Sequence, residues 1–154
     1  MNAKLSGYPR GLYGLTVCLL FLAVNALFGG GSMLAAPNGS PLGLEQEWIA
    51  GTPFASYLIP GLILFALFGV GGLVCIYALW RRPQFNSLNR IAARTHEHWA
   101  WLITLLLGIG IIIWIIVQVV MIQRFHPLQV VIMLLGILIL ALDAAPTMRR
   151  YYQQ

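Results

Sequence analysis

Four side chains able to hold a polar ring or headgroup sit in or beside otherwise apolar stretches: Asn25, Tyr57, Gln118 and Gln129. An amide brings donors and an acceptor, and a tyrosine adds an aromatic face with a hydroxyl. Such a group could serve a quinone ring, a lipid headgroup or a pigment. Their distances from the ends of the apolar stretches place all four in the outer half of a bilayer. The plainer reading is that the amides hydrogen-bond between helices, each bond worth roughly 0.6 kcal/mol. That reading is preferred, and no cofactor is assigned to the cluster.

Other reactive residue types fail on spacing. His96, Glu97 and His98 look like metal ligands, but residues two apart on a helix point about 200° away from each other. Further ligands at suitable spacing are missing, and His126 belongs to the other membrane face, so no metal is expected. Asp143 could mark an ion pathway if it lay at depth. It falls within a turn of the end of its stretch, near Arg81, Arg82, Arg149 and Arg150, and is expected to be a paired interfacial charge. An enzyme acting on lipids through His96, Glu97, His98 and Asp143 would need a nucleophile, base and orienting group that cannot be assigned. No catalytic residue is expected. Cys18 and Cys75 form no CxxC pattern and read as unbridged packing residues. Pro60 with Gly69, Gly71 and Gly72 could form a hinge, but close helix packing is the expected role.

Apolar stretches must position these residues. The chain is 60% hydrophobic and 8% charged, against about 25% charged in ordinary soluble domains. A hydrocarbon core about 30 Å thick needs roughly 20 residues of helix. Leu12–Leu34, Phe54–Trp80, Trp99–Ile122 and Leu128–Ala145 qualify. The first follows a basic start, Lys4 and Arg10. It exceeds the 7 to 15 apolar residues roughly typical of a signal peptide and lacks an A-x-A site, so it is expected to be a transmembrane helix. The expectation is an all-α, four-transmembrane-helix bundle over residues 1–154, a single domain.

Orientation follows from the basic residues, which favour the cytoplasmic side. Lys4, Arg10, Arg81, Arg82, Arg90, Arg94, Arg149 and Arg150 fall on one side and only Arg124 on the other. Both termini are therefore expected in the cytoplasm, and the 35–53 loop outside. Tyr8, Tyr13, Tyr77, Trp80, Trp99, Trp101, Tyr151 and Tyr152 mark the inner interface, and Trp48, Phe54, Tyr57 and Phe125 the outer one. Leu88, Ile91, Ala92 and Thr95 recur at helical spacing opposite Arg90 and Arg94, which predicts a short interfacial helix between helices 2 and 3. The net charge of +5 is gathered beside apolar stretches, where anionic lipid is the partner rather than nucleic acid.

Small and polar residues mark where helices touch in lipid. Their stripes run Gly11, Gly14, Cys18, Phe21, Asn25, Phe28 and Ser32 in the first helix, and Gly61, Phe65, Phe68, Gly72, Cys75 and Leu79 in the second. The third gives Thr104, Gly108, Ile111, Ile115, Gln118 and Ile122, and the fourth Gln129, Met133, Gly136, Leu140 and Asp143.

The basic start, the four stretches, the segment Trp114–Val120, the turn from Arg124 to Gln129 and the Leu-rich last helix together resemble a broad set of small, uncharacterised four-helix bacterial inner-membrane proteins. The resemblance implies a multi-pass plasma membrane location and carries over no functional residue. The expected function is that of a non-enzymatic accessory subunit of a larger membrane complex, energy-transducing or photosynthetic, packing against other transmembrane subunits, lipids or pigments. The alternative is a small oligomeric channel or transporter with Asn25 and Gln118 at its constriction.

Overall fold

The structure, a computed structural model, describes residues 8–84, 98–123 and 126–153. The interfacial helix expected around Leu88–Thr95 lies outside the described residues, as do His96, Glu97, Arg124 and Phe125.

Among the described residues all regular structure is helical: α1 (Arg10–Ala35), α2 (Leu58–Arg81), α3 (Trp99–Ile122), α4 (Pro127–Asp143) and α5 (Pro146–Tyr152). Three of them, α1, α2 and α3, are long and apolar enough to cross a membrane. The α4–α5 pair supplies a fourth span if its two helices, bent by 63° at a short break, are counted together. The expected third stretch matches α3 residue for residue. The expected fourth is cut short because Pro146 cannot donate into a continuing helix and starts α5 instead.

Local chemistry sets the remaining ends. His126 and Gln129 make a capping box at the start of α4, with Pro127 at the first helical position where its missing N–H costs nothing. Helices α2 and α3 each stop at a left-handed residue, Arg82 (φ 44°) and Gln123 (φ 52°). Pro83 disfavours continued helix at Arg82.

The helices alternate in direction, so the starts of α1 and α3 share one end with the finish of α2 and α4. We call this the basic end, after Arg10, Arg81, Arg82, Arg149 and Arg150. The other is the loop end. Helix α1 packs on α2 and α4, and α3 packs on α4 and chiefly the basic half of α2. The α1–α2 approach is the closest. A methyl group added at Gly30 would stand 2.6 Å from the Phe65 backbone nitrogen and 2.8 Å from the Gly61 carbonyl oxygen. Midway along α2, Leu64–Val70 forms a π-helical segment. Its wider turn seats Phe65 against Gly30 while Phe68, on the same segment, is buried toward α3 with its ring 6.3 Å from Trp114.

The stripes of α2 and α3 coincide with buried faces, and Gly136 and Asp143 of the α4 stripe are buried as well. The α1 stripe is corrected in part. Its basic half is a seam: Gly11 faces Met148, Gly14 faces Leu142, and Cys18 is buried. Its loop half is open, with Phe21 45% and Phe28 71% exposed. The fully packed face of α1 is instead Leu12, Leu15, Leu19, Leu22, Ala26 and Gly30.

Candidate functional site

The four polar residues singled out from the sequence do not form one cluster. Asn25, half-exposed on the open part of the α1 seam, donates its Nδ2 hydrogen to the Phe21 carbonyl at 2.8 Å. Gln118 sits on α3, diagonal to α1, about 6 Å from the Ile122 end at roughly 1.5 Å per residue. Asn25 lies about 15 Å from Ala35 on the same scale, so the two amides occupy different depths. Among the described residues Gln118 makes no side-chain hydrogen bond. Gln129 accepts from the His126 backbone N–H at 2.9 Å and serves as a cap. It borders an open groove of about 350 Å³ between α3 and α4, lined otherwise by apolar side chains such as Ile115, Val119 and Met133.

Tyr57 belongs to the loop end. Its hydroxyl donates to the Glu45 carbonyl at 2.7 Å, and its ring packs with Met33 and Ile49 in a small second core. Gly39, in the left-handed region at φ 79°, lets the backbone pass close to the ring, where a side chain would meet Tyr57 at 2.9 Å. Burial first, and the Glu45 charge second, push the Tyr57 hydroxyl pKa above its ordinary value.

The densest polar chemistry lies at the basic end. Asp143 from α4 and Thr104 from α3 are both 0% exposed, and Cys75 from α2 and Tyr152 from α5 are buried beside them. The Cys75 thiol and the Thr104 hydroxyl are hydrogen-bonding neighbours. Asp143, Cys75 and Arg82 all act electrostatically on the Tyr152 hydroxyl. The Asp143 carbonyl accepts from Trp101 Nε1 at 3.2 Å. Asp143 is thus corrected from an interfacial charge to a core residue. The bend at Ala144–Pro146 folds α5 beneath it, and Met148 and Tyr152 close it from below. The N-terminal ends of α1 and α3 and the surrounding arginines give this end a positive field that favours a carboxylate. Trp99, Trp101 and Tyr152 mark the end as expected, yet face inward and are buried.

His98 precedes α3 and caps it, its Nδ1 accepting from the Ala100 N–H at 3.2 Å. Burial first, then the Arg82 charge, lowers its pKa below the ordinary histidine value. Beside it runs an aromatic shelf: Trp80 lies 4.9 Å from Tyr8, Tyr8 lies 6.4 Å from Tyr151, and the Arg82 guanidinium sits 3.8 Å over the Tyr151 ring. The sequence marks Arg82 and Tyr152 only as members of a basic, aromatic interface, and their burial and contacts depend on how the chain turns. Pro83 and Pro146, which turn the chain next to them, were the available signals.

Cys18 and Cys75 are unbridged and buried, as expected. Among the described residues no group of three or more His, Cys, Asp or Glu side chains is arranged to hold a metal ion. No family model, curated protein or solved structure matches this chain.

Proposed function

We propose that the protein is a non-enzymatic subunit of a larger complex in a bacterial plasma membrane, crossing it four times with both termini in the cytoplasm. On this reading it docks to a transmembrane helix of another subunit along the open loop half of the α1 seam. One observation supports this most directly: Asn25, an amide within the span, stands on a face left open between Phe21 and Phe28 rather than inside the protein's own packing. Its second N–H and its carbonyl oxygen make no hydrogen bond among the described residues. In hydrocarbon such groups are costly, and polar side chains mark where helices meet. A partner helix that brings one hydrogen-bonding side chain to this depth would satisfy both groups, while Phe21 and Phe28 supply bulk on either side. The basic residues, gathered at one end, support the cytoplasmic orientation.

Purification from the native membrane in mild detergent tests the reading. The wild-type chain is expected to come with a stoichiometric membrane partner, and Asn25→Leu to lose it while keeping wild-type helicity and monomer stability. A wild-type chain that purifies alone, or a partner that stays bound equally well to Asn25→Leu, would overturn the proposal.

A further inference from the structure

The open half of the α1 seam has a regular repeat. Phe21, Asn25, Phe28 and Ser32 follow one another at steps of four, three and four residues. Phe21 and Phe28 therefore share one heptad position and Asn25 and Ser32 the other, the d and a positions of a left-handed helix pair. All four are exposed or part-exposed, and Val24 on their flank is exposed as well. Toward the basic end the same line continues through Gly14 and Cys18, but there Leu142 of α4 stands against Gly14. What remains open is a seam about 17 Å long at 1.5 Å per residue.

The chemistry of Asn25 narrows what can close that seam. Its amide carries two N–H donors and one acceptor oxygen. One N–H is taken by the Phe21 carbonyl at 2.8 Å, which leaves one donor and one acceptor. That remainder is self-complementary, because an identical amide turned by a twofold axis accepts the free N–H and returns its own. Lipid tails offer neither a donor nor an acceptor. Within the chain, Gln118 stands at another depth and Gln129 is engaged in its cap. A second copy inserted with the same orientation brings its own Asn25 to the same depth, since the axis relating the two runs along the membrane normal. A single Asn at an a position is also a device that fixes register and strand number in paired helices.

We infer that the helix received by the open seam is α1 of a second copy, in a parallel, in-register pair closed by reciprocal hydrogen bonds between the two Asn25 amides. This rests on the reading that the seam docks a helix, and it names that helix. Each copy completes the other: Phe21 and Phe28 flank the paired amides, and Ser32, seven residues on, meets its own counterpart. The pair is confined to the loop half because α4 holds the same flank of α1 at Gly14.

The test uses the full-length chain carrying two different tags, co-expressed in one membrane and captured through one tag in mild detergent. Wild type is expected to bring the second tag with it. Asn25→Leu, which keeps the helix and removes both reciprocal bonds, is expected to lower that capture about tenfold. Oxidation in the intact membrane gives an independent reading. Cys18 and Cys75 are buried, so a disulfide-linked dimer reports an introduced cysteine. Phe28→Cys should cross-link, and Leu62→Cys, on the exposed face of α2, should not. This comparison leaves Asn25 unchanged and holds even if Asn25→Leu fails to fold. Equal cross-linking at the two positions, or a second tag held equally well by Asn25→Leu, would overturn the inference. Wild type that brings no second tag but a different membrane protein, lost in Asn25→Leu, would overturn the second copy and leave the docking seam standing. Wild type that brings neither would overturn both.

Discussion

The two ends of the molecule are built on opposite plans. At the basic end five helices converge, α5 folds beneath the others, and polar side chains from four of them are enclosed: Asp143, Thr104, Cys75 and Tyr152. At the loop end the packing breaks into a strapped α1–α2 pair with its own small core around Met33, Ile49 and Tyr57, and an α1 seam that stands open at Phe28. The contrast teaches where a small membrane protein can place its two kinds of polar group. Here the buried polar groups gather where several helices enclose them and a positive field is at hand. A polar group on an open seam, such as Asn25, has no such shelter, and it is there that the proposed partner helix would dock.

The comparison breaks first if close packing is not concentrated where the geometry puts it. Gly30, at the loop end, faces backbone atoms that cannot move aside. Gly14, at the basic end, would place a methyl 3.5 Å from the flexible Leu142 side chain, an ordinary contact. Gly30→Ala is expected to cost about 3 kcal/mol, the upper range of overpacking, and Gly14→Ala well under about 1 kcal/mol. Equilibrium unfolding in mixed micelles of mild detergent and dodecyl sulfate measures both, and a larger loss for Gly14→Ala would reverse the assignment of the tightest contact to α1–α2.

A smaller effect is expected from Tyr57→Phe, which deletes the hydroxyl bonded to Glu45 and leaves the ring. It should cost about 1 kcal/mol, felt as faster amide exchange in residues 39–57 with global unfolding nearly unchanged, because the small core opens on its own. Equal protection in this loop before and after the substitution would show that the bond to Glu45 does not hold it. The ionisation of Tyr57 gives the same site a pH signature. Its pKa is raised from the ordinary 10.0 by burial and Glu45, so its contribution is complete below about pH 10 and is lost as pH rises through the folded-state value.

The helices themselves were legible because apolar length alone specifies them: three expected stretches agree with α1, α2 and α3 to within a few residues. The stripe of small residues was legible wherever a helix has neighbours on that flank, as at Gly72, Gly108 and Gly136. It misled at Phe21 and Phe28 because a stripe gives the flank but not how far along it two helices stay together. Asp143 was misplaced for a related reason. Distance from the helix end is one-dimensional, and the 63° turn at Pro146 that lays α5 beneath the carboxylate is a tertiary event. The π-helical segment left no composition signal, since Leu64–Val70 reads as ordinary apolar helix. The stacking of Arg82 on Tyr151 was hidden in the same way, because an arginine beside a span is expected to be solvated.

The gentlest probe sharpens the comparison through acid. His98 caps α3 at the basic end by accepting the Ala100 N–H on Nδ1, a bond that exists only while that nitrogen carries no proton. Burial and the nearby Arg82 lower its pKa below the ordinary 6.5, so the folded state prefers the neutral ring more strongly than the unfolded chain does. The sign follows from linkage: the contribution is present above about pH 6.5, begins to fade as pH falls through that value and is gone below the folded-state pKa. Because the ring is part-exposed and screened, the loss should stay below about 1 kcal/mol, the usual worth of a cap. It should appear as accelerated amide exchange in the first turn of α3 with the Tyr57 loop unaffected. His98→Asn, which keeps an acceptor at the cap without titrating near neutrality, is expected to remove the acid step and hold the first turn at its neutral-pH protection. An acid step that survives in His98→Asn would place the titrating group elsewhere, and one that loosens both ends together would mean that the two ends are a single cooperative unit.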